Sequence, residues 1–243
     1  MWMALFWGAF SSASLYVGQA LAKPLGHRTR AVGLLMGFGA GTLLSAVAYQ
    51  LVPQESLRHG IAPVLGFVGG AAAYYLGDLL IDSRGGEHRQ RIKPSSEQAD
   101  EGSGAAMFLG ALLDGIPEAF ILGLTLALGG SLSLAFLAAI FVSNVPQGLA
   151  GTTSLEASGT TQQRIFWMWT GLTAACGIAS LLGNALAGHL TGIAAPAEAF
   201  AGGAVLMMLA DSMTPEAHQH GGRAVGLFTV AGFLVAGALS VVQ

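Results

Sequence analysis

Charge is what this sequence has least of. Only 9% of its 243 residues are charged, against about 25% in an ordinary soluble domain. The ten Lys and Arg residues form no basic face and the formal net charge is −3, which excludes a nucleic-acid binder. A single cysteine, Cys176, excludes an internal disulfide framework and a cysteine-based zinc knuckle. H-E-x-x-H, a phosphate loop, a nucleophile triad and any cofactor motif are missing, so neither an enzyme nor a bound cofactor is expected.

What fills the space is apolar. Hydrophobic residues make up 53% of the chain and glycine 36 positions, about twice the usual ~7% share. Mean hydropathy is +0.63. A bilayer core needs about 20 apolar residues per helix. The chain divides into eight such stretches: Met3–Ala22, Ala31–Val52, Ile61–Ile81, Gly104–Leu128, Leu132–Thr152, Ile165–Gly188, Phe200–Met213 and Ala224–Val242. The seventh is short unless it starts near Ala194 and includes Pro196 and Glu198. The class is an all-α polytopic membrane protein forming one transmembrane domain over 1–243. Asp82–Ser103, charged and poor in hydrophobics, reads as a flexible cytoplasmic loop.

Basic residues favour the cytoplasmic side. With both termini external, Lys23, Arg28, Arg30, Arg84, Arg89, Arg91, Lys93, Arg164 and Arg223 all fall inside, and Arg58 alone falls outside. A plasma (inner) membrane location is expected. The first stretch lacks a basic residue before it and has three after it, so it does not read as a signal peptide. Phe166, Trp167, Met168 and Trp169 read as an aromatic belt at the membrane interface.

The second and seventh stretches repeat each other. GFGAGTLLSAVAYQLVPQES, from Gly37, aligns without gaps on AFAGGAVLMMLADSMTPEAH, from Ala199, at an offset of 162. Phe38/Phe200, Gly41/Gly203, Leu44/Leu206, Ala48/Ala210 and Pro53/Pro215 are identical. The two helices cross in opposite directions in the topology above, the pattern of inverted-repeat transporters. DGIPEA (Asp114–Ala119) likewise matches SNVPQG (Ser143–Gly148) in the central pair of stretches, where a midplane site is expected.

Ionisable residues within the spans are Asp78, Asp114, Glu118 and Asp211. Each costs a few kcal/mol in hydrocarbon, which makes it a functional candidate. Asp78 reads as interfacial. Asp114 and Glu118 are spaced i, i+4 and share one helix face. Two carboxylates that close repel unless a proton or a cation lies between them. Ser143 and Gln147 repeat the spacing, with Asn144 beside them, so all five residues offer oxygen ligands to a cation. Pro117 and Pro146 each free a carbonyl four residues back in a place where only protein, water or an ion can satisfy it.

DGIPEAFILG and SNVPQGLAG resemble the fourth- and fifth-helix motifs of the ZIP (Zrt/Irt-like) family of divalent-metal transporters, typically H-N-x-P-E-G and H-E-x-P-E-G. The resemblance covers most of the chain. It implies eight helices arranged 3+2+3 (helices 1–3, 4–5 and 6–8), with zinc, iron or manganese held between helices 4 and 5 and moved toward the cytosol. A homodimer is also implied. Glu118, Pro117, Pro146 and Gly148 match the motifs, whereas Asp114, Gly115, Ser143, Asn144 and Gln147 depart from them. Those departures favour one oxygen-rich site over a two-metal centre. Asp211, Glu216, His218 and His220 are candidates for a relay at the inner end. Two other readings stay open: a proton-coupled carrier of a small polar solute on the same fold, and a non-transporting membrane sensor.

Overall fold

The computed structural model describes residues 1–51, 60–81, 83, 102–128, 133–187 and 194–242. Most of the Asp82–Ser103 loop lies outside the described residues. So do the VPQES segment, Arg58, and the loop residues Arg84, Arg89, Arg91 and Lys93.

Among the described residues the regular structure is helical, without strands. Helix α1 spans Trp2–Ser12, α2 Ser14–Leu25, α3 Thr29–Ala46, α4 Ile61–Ile81, α5 Gly102–Leu128, α6 Leu134–Ala157, α7 Gln162–Leu186, α8 Ala194–Met208, α9 Thr214–Gly221 and α10 Val225–Val242. Helices α3 and α8 each run on into a π-helical turn, Val47–Leu51 and Leu209–Met213. Helix α8 begins at Ala194 and takes in Pro196 and Glu198, the longer of the two starts allowed by the sequence.

Among the described residues, six helical runs are long and apolar enough to cross a bilayer, where eight stretches were expected. The difference arises at the two ends of the chain. The first stretch is divided at Ala13 into α1 and α2, of 11 and 12 residues. Serine hydroxyls explain the break: Ser11 Oγ donates to Gly8 O (2.9 Å), Ser12 Oγ to the same carbonyl (3.3 Å) and Ser14 Oγ to Ser11 O (2.7 Å). Such back-bonding competes with the helical ladder and bends it. At the other end, Ala194–Val242 is one helical run of 49 residues that holds both the seventh and the eighth stretch. Gly222, at φ 65°, interrupts it after α9.

Packing sorts the helices into two groups. In one, α4 lies along α8, and α3 lies along α10 and α9. In the other, α5 lies along α7, α2 along α6, and α1 along α7. The main seam between the groups is α3 on α6, joined by smaller contacts of α5 on α8, α10 on α6 and α4 on α5.

The close approaches in the first group follow the 162-residue offset. A Cβ on Gly41 would strike the carbonyl of Thr229, and one on Gly203 the carbonyl of Phe67. Gly232 meets the carbonyl of Phe38 in the same way, and Gly70 that of Phe200. Gly41 and Gly203, Phe67 and Thr229, Gly70 and Gly232, and Phe38 and Phe200 are all 162 positions apart. The two π turns, Val47–Leu51 and Leu209–Met213, are separated by the same interval. Small residues that let membrane helices approach closely are the usual means of packing where water supplies no driving force.

The outer surface is apolar. Leu65, Val68, Leu76, Leu79 and Leu80 on α4 are exposed, as are Leu227, Val230, Leu234 and Val241 on α10. Exposed apolar area of this extent has lipid as its natural solvent. The aromatic belt expected at 166–169 is divided: Phe166 and Trp167 are exposed, but Trp169 is buried. Its indole Nε1 donates to Thr152 Oγ1 on α6 at 3.0 Å, so the ring packs between helices.

Candidate functional site

Helix α5 carries Asp114 and Glu118 across its middle and continues as a helix through Pro117. Both side chains point inward: Asp114 is 4% exposed and Glu118 1%. They lie one turn apart and within electrostatic reach of each other. Their partners differ. The Tyr74 phenol on α4 donates to Asp114 Oδ1 at 2.5 Å. Among the described residues neither Glu118 Oε1 nor Oε2 has a hydrogen-bond partner. A buried polar group left bare costs about 1–3 kcal/mol, and more if charged, so a carboxylate in this state is an exception that calls for a reason.

Helix α6 supplies the facing groups and continues through Pro146. Ser143 and Asn144 are buried, and Gln147 is half-buried. Ser143 Oγ donates to Ile140 O at 2.9 Å, and α3 passes close by at Gly39. The amide nitrogen of Gln147 is buried without a hydrogen-bond partner among the described residues. Helices α5 and α6 touch, although α5 packs chiefly on α7 and α6 on α2 and α3. Among the described residues no group of three or more His, Cys, Asp and Glu side chains is placed to hold a metal ion. A cation bound here would therefore depend on two carboxylates plus neutral amide and hydroxyl oxygens.

Cys176 on α7 is fully buried, with its Sγ against Gly115 on α5. It packs with Leu172 and Ala119 as a small hydrophobe does. On the other side of α5, Tyr74, Pro117, Pro196 and Phe200 line an apolar crevice of about 570 Å³ between α4, α5 and α8.

The relay candidates lie within and just after the second π turn. Asp211 is exposed within that turn, and Glu216, His218 and His220 follow on α9. Glu216 Oε1 lies 2.9 Å from His220 Nε2, an ion-pair distance without hydrogen-bond alignment. His218 is exposed, its Nδ1 3.1 Å from Thr214 O.

Two features escaped the sequence reading. Asp78 is 5% exposed, so α4 presents it inward among the helices, one turn beyond Tyr74. Tyr74 itself was not singled out. Its signal was available, since Tyr74 and Asp78 are spaced i, i+4 and so share one face of the helix.

Neither a protein-family model nor a curated protein matches this chain. The fold and the buried polar residues therefore define the class, a helical multi-pass membrane protein with a carboxylate pair in its interior.

Proposed function

We propose that this protein is a carrier of divalent metal ions of the ZIP type, moving zinc, iron or manganese across the plasma membrane toward the cytosol. In this reading α1 and α2 form one bent span, and Ala194–Val242 forms two. The count is then eight, arranged 3+2+3, with both termini external. The repeated 162-residue interval in glycine contacts and π turns supports an inverted repeat built from the outer units.

One observation carries the proposal: the Glu118 carboxylate is buried and bare beside Asp114. A passing cation neutralises such a pair and occupies the unused oxygens. Ser143, Asn144 and Gln147 would complete the shell. Carboxylate, amide and hydroxyl oxygens suit manganese and iron relative to an imidazole site, while zinc still binds carboxylates. The cation is cargo, not a resident cofactor.

The test is uptake of ⁶⁵Zn²⁺ and ⁵⁴Mn²⁺ into proteoliposomes. Wild type should accumulate at least one of them, and Glu118→Ala and Asp114→Ala should each lose at least nine-tenths of that flux, equivalent to about 1.4 kcal/mol in the activation barrier per tenfold. Full uptake in both variants would remove the ligand assignment. Proton flux driven by a small polar solute, without metal uptake, would favour the solute carrier.

A further inference from the structure

Among the described residues, one of the side-chain hydrogen bonds that cross from one helix group to the other ends on the candidate site. Ties within a group include Tyr16 to Thr170, Trp169 to Thr152, Ser180 to the carbonyl of Ala4, and Gln50 to Ser240. Across the seam run Ser133 Oγ to Gln50 Oε1 (2.6 Å), Thr42 Oγ1 to the carbonyl of Ala139 (3.3 Å) and Tyr74 to Asp114 (2.5 Å). The last is buried, short, and made to a carboxylate, the kind of hydrogen bond that is worth most. Tyr74 belongs to α4 and the α8 group, whereas Asp114 belongs to α5 and the α7 group.

We propose that Tyr74 is a positioning residue that latches the two helix groups together through Asp114 and releases them when a cation binds. This rests on the metal-carrier reading. A cation seated between Asp114 and Glu118 draws on the same carboxylate that the phenol holds. The phenol and the cation therefore compete, and binding on one side of the seam weakens a tie across it. Such differential contact is what allows a ligand to shift a conformational equilibrium. The arrangement also divides the work of the two acids. Glu118, with both oxygens bare, receives the ion, and Asp114 reports its arrival to the neighbouring group.

The seam can be read by spin-label distances between Ile178 and Leu234, exposed positions on α7 and α10. Ile178→Cys/Leu234→Cys protein in lipid nanodiscs is measured with and without ZnCl₂. In the otherwise native protein, zinc should shift the distance distribution. Tyr74→Phe removes only the hydroxyl, so its metal-free distribution should already match the zinc-loaded one, and zinc should bind roughly tenfold more tightly. Asp114→Asn keeps an acceptor for the phenol, so the latched distribution should persist and ignore zinc. A Tyr74→Phe protein whose metal-free distribution matches the wild-type one overturns the latch and leaves the carrier reading standing. A wild-type protein that neither binds zinc nor shifts, while Tyr74→Phe still opens the seam, overturns the metal reading and leaves the latch.

Discussion

A membrane interior penalises a bare carboxylate, and among the described residues no hydrogen bond offsets that penalty at Glu118. Removing the acid should therefore relieve the protein. Glu118→Met, an apolar side chain of similar length, is expected to raise thermal stability in detergent by about 1–3 kcal/mol while abolishing metal uptake. A thermal-shift assay run beside the flux assay separates this from ordinary damage, which lowers both. Pairing of the two acids was readable from sequence because i, i+4 spacing on a helix leaves little choice of face. Which acid keeps a partner was not, because Tyr74 reaches Asp114 from 40 positions away. The burial of Asp78 was hidden for a related reason, since it depends on the neighbour that covers that end of the helix.

At the scale of elements, the repeat was legible in a handful of identities, and the fold turns those identities into contacts. Gly70 and Gly232 are required because each lies against a backbone carbonyl of the adjoining helix, those of Phe200 and Phe38. Neither π turn has a sequence signature, but their matched positions follow from the repeat. Gly41→Val and Gly203→Val are expected to destabilise to similar extents, about 1–3 kcal/mol by overpacking, as read by thermal denaturation in detergent. Gln50, inside the first π turn, joins Ser133, which caps α6, to Ser240 on α10. Gln50→Ala should cost about 1 kcal/mol per bond lost in the same assay. Ser212, its counterpart 162 positions on, donates only within its own turn, to Met208 O at 2.9 Å. The division of the first stretch into α1 and α2 was hidden, since a hydropathy scan sees apolar length and not the serine hydroxyls that draw carbonyls out of the ladder.

For the whole molecule, an all-helical membrane class was plain from the scarcity of charge, because few other folds tolerate so little of it. The proposed topology rests on where the basic residues fall, and it can be checked directly. Cysteines placed at Trp2 and Val241, both strongly exposed, should react with a membrane-impermeant maleimide from the outside of intact cells. Labelling of the two positions from opposite sides would contradict an even number of crossings. The central claim is that a metal cation passes between α5 and α6 and is held by Glu118. An anomalous-difference map of crystals soaked in ZnCl₂ tests it most directly. The account expects a peak about 2.0–2.2 Å from a Glu118 carboxylate oxygen, with oxygens of Asp114 and of the Ser143–Gln147 turn completing the shell. A map with Glu118 still bare, or with its strongest peak elsewhere in the protein, would contradict it.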